Sequence, residues 1–207
     1  MSTSNLIRWS GLAALVGGVL GVVLDVVDAV LIGGQPDSVA AATNAWIIIN
    51  ALWILLLALI SLGLVGAYAR QAEQAGTLGL IGFLAAFIGT AMLSGAIWSA
   101  AFIAPWLAEA APELIGAEPS GVVVAGFLLT VVLVGLGWLL FGLASLQARV
   151  LPRGVAVLLM IGAVLVSVLE FLELPFSGVV FSAAVAWMGY AVWTGTHEKF
   201  GQPEPRS

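Results

Sequence analysis

The chain has 207 residues, 62% of them hydrophobic and only 8% charged, with a mean hydropathy of +1.16 and a formal net charge of −5. A water-soluble domain carries about 25% charged residues, so this composition argues against a soluble globular protein and for lipid as the solvent. The acidic balance, with no basic cluster, argues against nucleic acid as a partner, and with no cysteine there is no disulfide, thiolate nucleophile or cysteine-ligated cluster.

The length suits one bundle of about six spans of ~20 apolar residues each. The first apolar run covers 6–31. It begins like a signal peptide, with Arg8 ahead of an apolar core, but it is too long for a signal core and no small-x-small cleavage site follows, so a retained helix is expected. Gly11, Ala14 and Gly18 share one small-residue face and Gly17 and Gly21 another, which allow close helix approach. Pro36 and Asp37 mark an exposed loop. The second span is expected over 45–68, carrying Trp46, Asn50 and Trp53, and the third over 78–104, closed by Pro105-Trp106. Between them lies a polar turn, residues 70–76. The segment 106–120 holds Glu109, Glu113 and Glu118 and could form a short interfacial helix, against which Pro112 argues. The remaining spans are expected over 121–145, 154–171 and 175–193, with Pro175 in the first turn of the last. Residues 194–207 read as a loose tail.

Weak internal repetition runs through this plan. The turn after the second span and the turn after the fourth align with Gln71 on Gln147 and Gly79 on Gly154, and the end of the sixth span can be laid on the end of the fourth. The simplest account is three tandem helical hairpins within a single transmembrane domain. Such repeats occur in transporters without implying transport.

Six spans would place all six basic residues, Arg8, Arg70, Arg149, Arg153, Lys199 and Arg206, on one side. Asp25, Asp28, Asp37, Glu109, Glu113, Glu118, Glu170 and Glu173 would fall on the other, leaving Glu73, Glu198 and Glu204 with the basic residues. The positive-inside rule then places both termini in the cytoplasm. Trp9, Trp138 and Trp193 would sit toward the inner boundary and Trp46, Trp98 and Trp106 toward the outer one, as aromatic belts.

The run Tyr68-Ala-Arg-Gln-Ala-Glu-Gln-Ala-Gly-Thr-Leu-Gly-Leu-Ile-Gly-Phe83 and the later Val150-Leu-Pro-Arg-Gly154 resemble a recurrent type of small, uncharacterised bacterial multi-pass membrane protein. That type has a YARQA-x-x-AG turn and a VLPR turn on the cytoplasmic side. The resemblance covers most of residues 8–193. It implies a six-helix protein of the bacterial inner membrane and carries over no catalytic residue.

The most unusual chemistry is acidic. Asp25/Asp28 and Glu170/Glu173 are two i,i+3 pairs, each sharing a helix face. If the first and fifth helices meet, these four carboxylates and the Asn50 amide form a candidate cation or proton site. Against it stands the ordinary reading, acids at helix edges within reach of water and headgroups. His197 is the only histidine and lies in the tail, so no metal set is evident. No Ser–His–Asp, HExxH, CxxC or phosphate-loop motif is present, so neither catalytic residues nor a cofactor are expected. The reading reached is an all-α integral membrane bundle of six transmembrane helices. Its expected role is non-enzymatic, structural or accessory, with lipid, a protein partner or further copies of itself for company. The alternative is a small cation- or proton-coupled transporter or channel. A third reading is the binding of an apolar small molecule among the tryptophan-rich helices.

Overall fold

The computed structural model describes residues 3–172 and 176–195. Its regular structure is helical, with no strand among the described residues. Helix α1 is Thr3–Leu31, α2 is the four-residue Asp37–Ala40, α3 is Asn44–Ala110, α4 is Gly121–Ala148, α5 is Arg153–Phe171 and α6 is Val179–Thr194. Three of them, α1, α3 and α4, are long and apolar enough to cross a membrane, and α5 and α6 are shorter apolar helices. Apolar side chains lie around the helices rather than on one stripe: Val16, Val19, Val23 and Val26 are exposed on α1 while Ala14 and Leu24 are buried. A helix apolar on every side belongs in a large core or a membrane, and the molecule is compatible with membrane insertion.

The 67-residue α3 is two helices joined at Gly76, whose φ of 56° and ψ of −154° are non-helical. This region is essentially closed to residues with a Cβ. Residues 44–75 form an N-terminal arm and 77–110 a C-terminal arm that folds back on it. Tyr68 stacks on Phe83 at 4.3 Å, and the Trp46 indole donates to the Ala100 carbonyl at 2.6 Å. Thr43 starts the N-terminal arm as its cap: its hydroxyl accepts from the Trp46 amide at 3.2 Å.

The expected polar turn over 70–76 is therefore only one residue wide. Arg70, Gln71, Ala72, Glu73, Gln74 and Ala75 are all good helix formers, so the helix continues through them until Gly76 breaks it. Likewise Pro105 does not close the third apolar segment, because the C-terminal arm runs through it to Ala110. The expected interfacial helix reduces to a 3-10 turn at Pro112–Leu114. Helix α6 starts at Val179, after a turn at Phe176–Gly178 and later than the expected 175; Pro175 lies outside the described residues.

The two arms and the other long helices form a ring, in the order α1, N-terminal arm, C-terminal arm, α4, α5, α6 and back to α1. Nearly every seam is set by glycine. A methyl added at Gly11 would lie 2.5 Å from the Trp193 amide nitrogen, one at Gly82 2.5 Å from that of Phe141, and one at Gly162 2.7 Å from the Phe181 Cα. At such seams backbone touches backbone, and dispersion is gained along the whole contact. The ring is filled by Leu56, Ile60, Leu64, Trp138, Phe141, Leu159, Val185 and Met188, all essentially inaccessible. Trp138 is thus a core residue and not a boundary anchor. Its neighbour Gly137 brings α4 against Ala86 of α3, which carries the ring inward to pack edge-on against Phe181 at 5.0 Å.

One stretch stands clear of the ring. Residues 121–129 of α4 are all exposed, and Gly95, Gly121 and Gly126 have nothing within 4 Å of an added methyl.

Candidate functional site

Asp25 lies one turn beyond Gly21, where α1 packs against Ser182 and Leu56. Only 8% exposed, it lies beside the turn that leads into α6. A methyl at Gly178 would stand 2.7 Å from Asp25 Oδ2 and 3.1 Å from Oδ1. Gly178 is the N-cap of α6, so the carboxylate sits at the positive end of that helix. An anion there is stabilised by about 0.3–1 kcal/mol, and by up to ~2 kcal/mol when partly buried. A cation placed beside it would meet the same dipole with the opposite sign.

Asp28 is half-buried one turn further on, and its carbonyl accepts from the Ile32 and Gly33 amides at 2.9 and 3.0 Å. Asn50 is 8% exposed and its side-chain amide donates to the Trp46 carbonyl at 2.9 Å. Ala14 faces Gly63 and Gly21 faces Leu56. By that antiparallel register Asp25 and Asn50 lie within about one helical turn in height. Glu170 belongs to the last turn of α5, its side chain outside the described residues; Glu173 lies outside them altogether. The condition set for the candidate site, that the first and fifth helices meet, is not fulfilled among the described residues. Helix α6 stands between them, with α1 packing on α6 and α3 and α5 on α4 and α6. The acidic end of the bundle thus pairs Asp25 with a helix end. Among the described residues no three of His, Cys, Asp and Glu come together as a metal-holding group.

At the Gly76 end two groups stand out that sequence reasoning treated as turn residues. Arg70 donates from its guanidinium to the Ala191 and Val192 carbonyls, both at 3.1 Å, satisfying carbonyls in the last turn of α6. Gln71 is fully buried, and among the described residues neither its Oε1 nor its Nε2 has a hydrogen-bond partner. Gln147, its counterpart in the aligned turns, is exposed. The run of helix formers around Gln71 was the available signal. Continued as helix, it puts Gln71 one turn from Ala67 and Ala75 on a small-residue face.

Mid-bundle, the Trp138 indole donates to the Thr90 hydroxyl at 3.3 Å. The buried hydroxyls of Thr90, Thr130 and Ser145 each donate to a carbonyl of their own helix, those of Ala86, Gly126 and Phe141. Between α4 and α5 a groove of about 230 Å³ is lined by Val131, Val132, Leu136, Leu139, Val164 and Ser167, among others. The Ser167 hydroxyl is turned back to the Ala163 carbonyl, which leaves the groove apolar. Its lining contains no tryptophan, so it is not a pocket among tryptophan-rich helices.

Comparison of the chain with family models, with curated proteins and with solved structures finds no match in any of the three.

Proposed function

We propose that the chain is a six-span integral protein of a bacterial cytoplasmic membrane, with both termini cytoplasmic. Its role is non-enzymatic, structural or accessory, packed against lipid and against a protein partner or further copies of itself. The observation that carries this reading is the filled ring. From Asp25 at one end to Gln71 at the other, the centre is occupied by inaccessible aliphatic and aromatic side chains such as Leu56, Leu64, Phe141 and Met188. The buried hydroxyls along it bond to their own helices, so among the described residues no continuous polar path supports conduction. The membrane setting is supported by the apolar surface around α1, α3 and α4 and by basic residues gathered at alternate turns.

The test is native mass spectrometry of the protein gently extracted from its own membrane. A stoichiometric additional mass, from another subunit or a further copy, is expected. A bare monomer with scattered lipid adducts would overturn the accessory role.

One observation favours the second reading, transport of a cation or proton: Asp25 is a carboxylate only 8% exposed within an apolar helix. Reconstituted vesicles test it. Ion flux abolished by Asp25→Asn would support transport; no flux, or flux unaffected by that change, would remove it.

A further inference from the structure

Gln71 carries a cost that no neighbour offsets. Its amide is shut off from solvent, and among the described residues both of its polar atoms lack a partner. The buried hydroxyls of Thr90, Thr130 and Ser145 avoid that cost by donating to carbonyls of their own helices. One turn to either side of Gln71 on its helix stand Ala67 and Ala75, whose methyls offer no hydrogen bond. An amide desolvated without partners destabilises the arrangement that buries it and spares any arrangement that returns it to water. The closed packing around Gln71 is therefore weakened relative to a local opening at this end of the bundle.

Water is close by. Glu73 and Gln74 are exposed just beyond Gln71, and so is Gln147 in the aligned turn. Further on, Gly76 joins the two arms of α3 in its non-helical conformation, with nothing within 4 Å of an added methyl. No side chain wedges this joint, and the glycine backbone has wide freedom to turn there. Arg70 ties the same helical turn to α6. Its guanidinium donates to the Ala191 and Val192 carbonyls, both at 3.1 Å. Water can replace such bonds in kind. It cannot replace the contacts of Leu56, Ile60 and Leu64, which are inaccessible further back along the arm.

We propose that residues 66–75 form a latched opening that admits water at the Gly76 end of the ring. Arg70 is the latch on α6, Gly76 is the hinge, and Gln71 is the group that gains hydration when the latch is released. The ring stays closed from Leu64 back to Leu56, where hydration brings no gain. The opening is a property of one end of the bundle and stands apart from the accessory role proposed above.

Hydrogen–deuterium exchange on the full chain, read peptide by peptide by mass spectrometry, tests it. In the wild type the amides of 66–75 are expected to exchange about tenfold faster than those of 56–64. Gln71→Met keeps the volume and removes the gain on hydration, so it is expected to slow exchange over 66–75 about tenfold. Arg70→Gln removes the guanidinium bonds and is expected to speed it about fivefold. The two variants act in opposite directions, so a general loss of folding cannot imitate both. Plain fraying of a helix end would give fast exchange over 66–75 that ignores Gln71→Met. Exchange over 66–75 as slow as over 56–64, or a rate unchanged by Gln71→Met, would overturn the opening. A rate unchanged by Arg70→Gln would overturn the latch.

Discussion

Gly18→Ala and Gly126→Ala should move stability in opposite directions, although the chemical change is the same. A methyl at Gly18 would stand 2.5 Å from the Ser182 carbonyl oxygen and 2.7 Å from the Ala186 Cα, against about 3.4 Å for an ordinary contact. Both neighbours are backbone of α6 and cannot swing aside. The Ala186 amide nitrogen lies closer still, so the seam between α1 and α6 must open by more than the 0.9 Å that separates 2.5 from 3.4 Å. A gap of that size forfeits roughly a quarter to a half of each atom pair's attraction along the seam, and overpacking of this kind costs about 1–3 kcal/mol. Alanine recovers up to ~1 kcal/mol of helix propensity, so with that gain complete the net loss is up to about 2 kcal/mol. At Gly126 nothing lies within 4 Å of the added methyl, so only the propensity gain of up to ~1 kcal/mol remains. Thermal unfolding in one detergent, followed by fluorescence of the eight tryptophans, reads both. The midpoint of Gly18→Ala should fall by about 2–4 °C per kcal/mol, while that of Gly126→Ala holds or rises. A Gly18→Ala midpoint at or above wild type would refute the backbone contact between α1 and α6.

Three further substitutions probe the special positions. Gln71→Met removes a buried amide with no partner among the described residues at similar volume and should raise stability by about 1–3 kcal/mol; a loss in chemical denaturation would show that the amide is satisfied, for instance by an internal water. Gly76→Ala has free space around it, so only the backbone resists, and it should cost about 1–3 kcal/mol; an unchanged midpoint would contradict the left-handed kink. Asp25→Asn keeps the shape but removes the charge at the start of α6, and should cost about 0.3–2 kcal/mol. A stability equal to wild type would show that the carboxylate does not serve that helix.

The helical class and the six apolar segments were legible because polar breaks and glycines punctuate nearly uninterrupted hydrophobic runs. A turn within residues 70–76 was legible, but not that Gly76 alone makes it and that Arg70 to Ala75 continue the helix. Polar residues between apolar runs look like loop, and their helix propensity decides only once the neighbouring helices are in place. Gln71 shows the consequence, since the burial of a residue near a helix end depends on what packs beside it. Trp138 shows the same limit in mid-chain, where belt and core tryptophans share one hydropathy. The glycine faces of α1 foretold close packing but not its partner: α6 rather than α5 lies against Gly11 and Gly18. For that reason Asp25 could be placed in depth along α1, while its neighbour, the Gly178 turn, could not be named.

The central claim is a six-span membrane protein with the Gly76 turn and the α4–α5 turn on the side of the N-terminus. Because the chain has no cysteine, single cysteines report sidedness directly. Ser4, Gln74 and Gln147 are exposed toward one end of the ring, and Gln35 and Glu113 toward the other. An impermeant maleimide applied to intact cells should label Gln35→Cys and Glu113→Cys. It should reach Ser4→Cys, Gln74→Cys and Gln147→Cys only after the membrane is opened. Labelling of Gln74→Cys and Gln35→Cys from the same side would contradict the account.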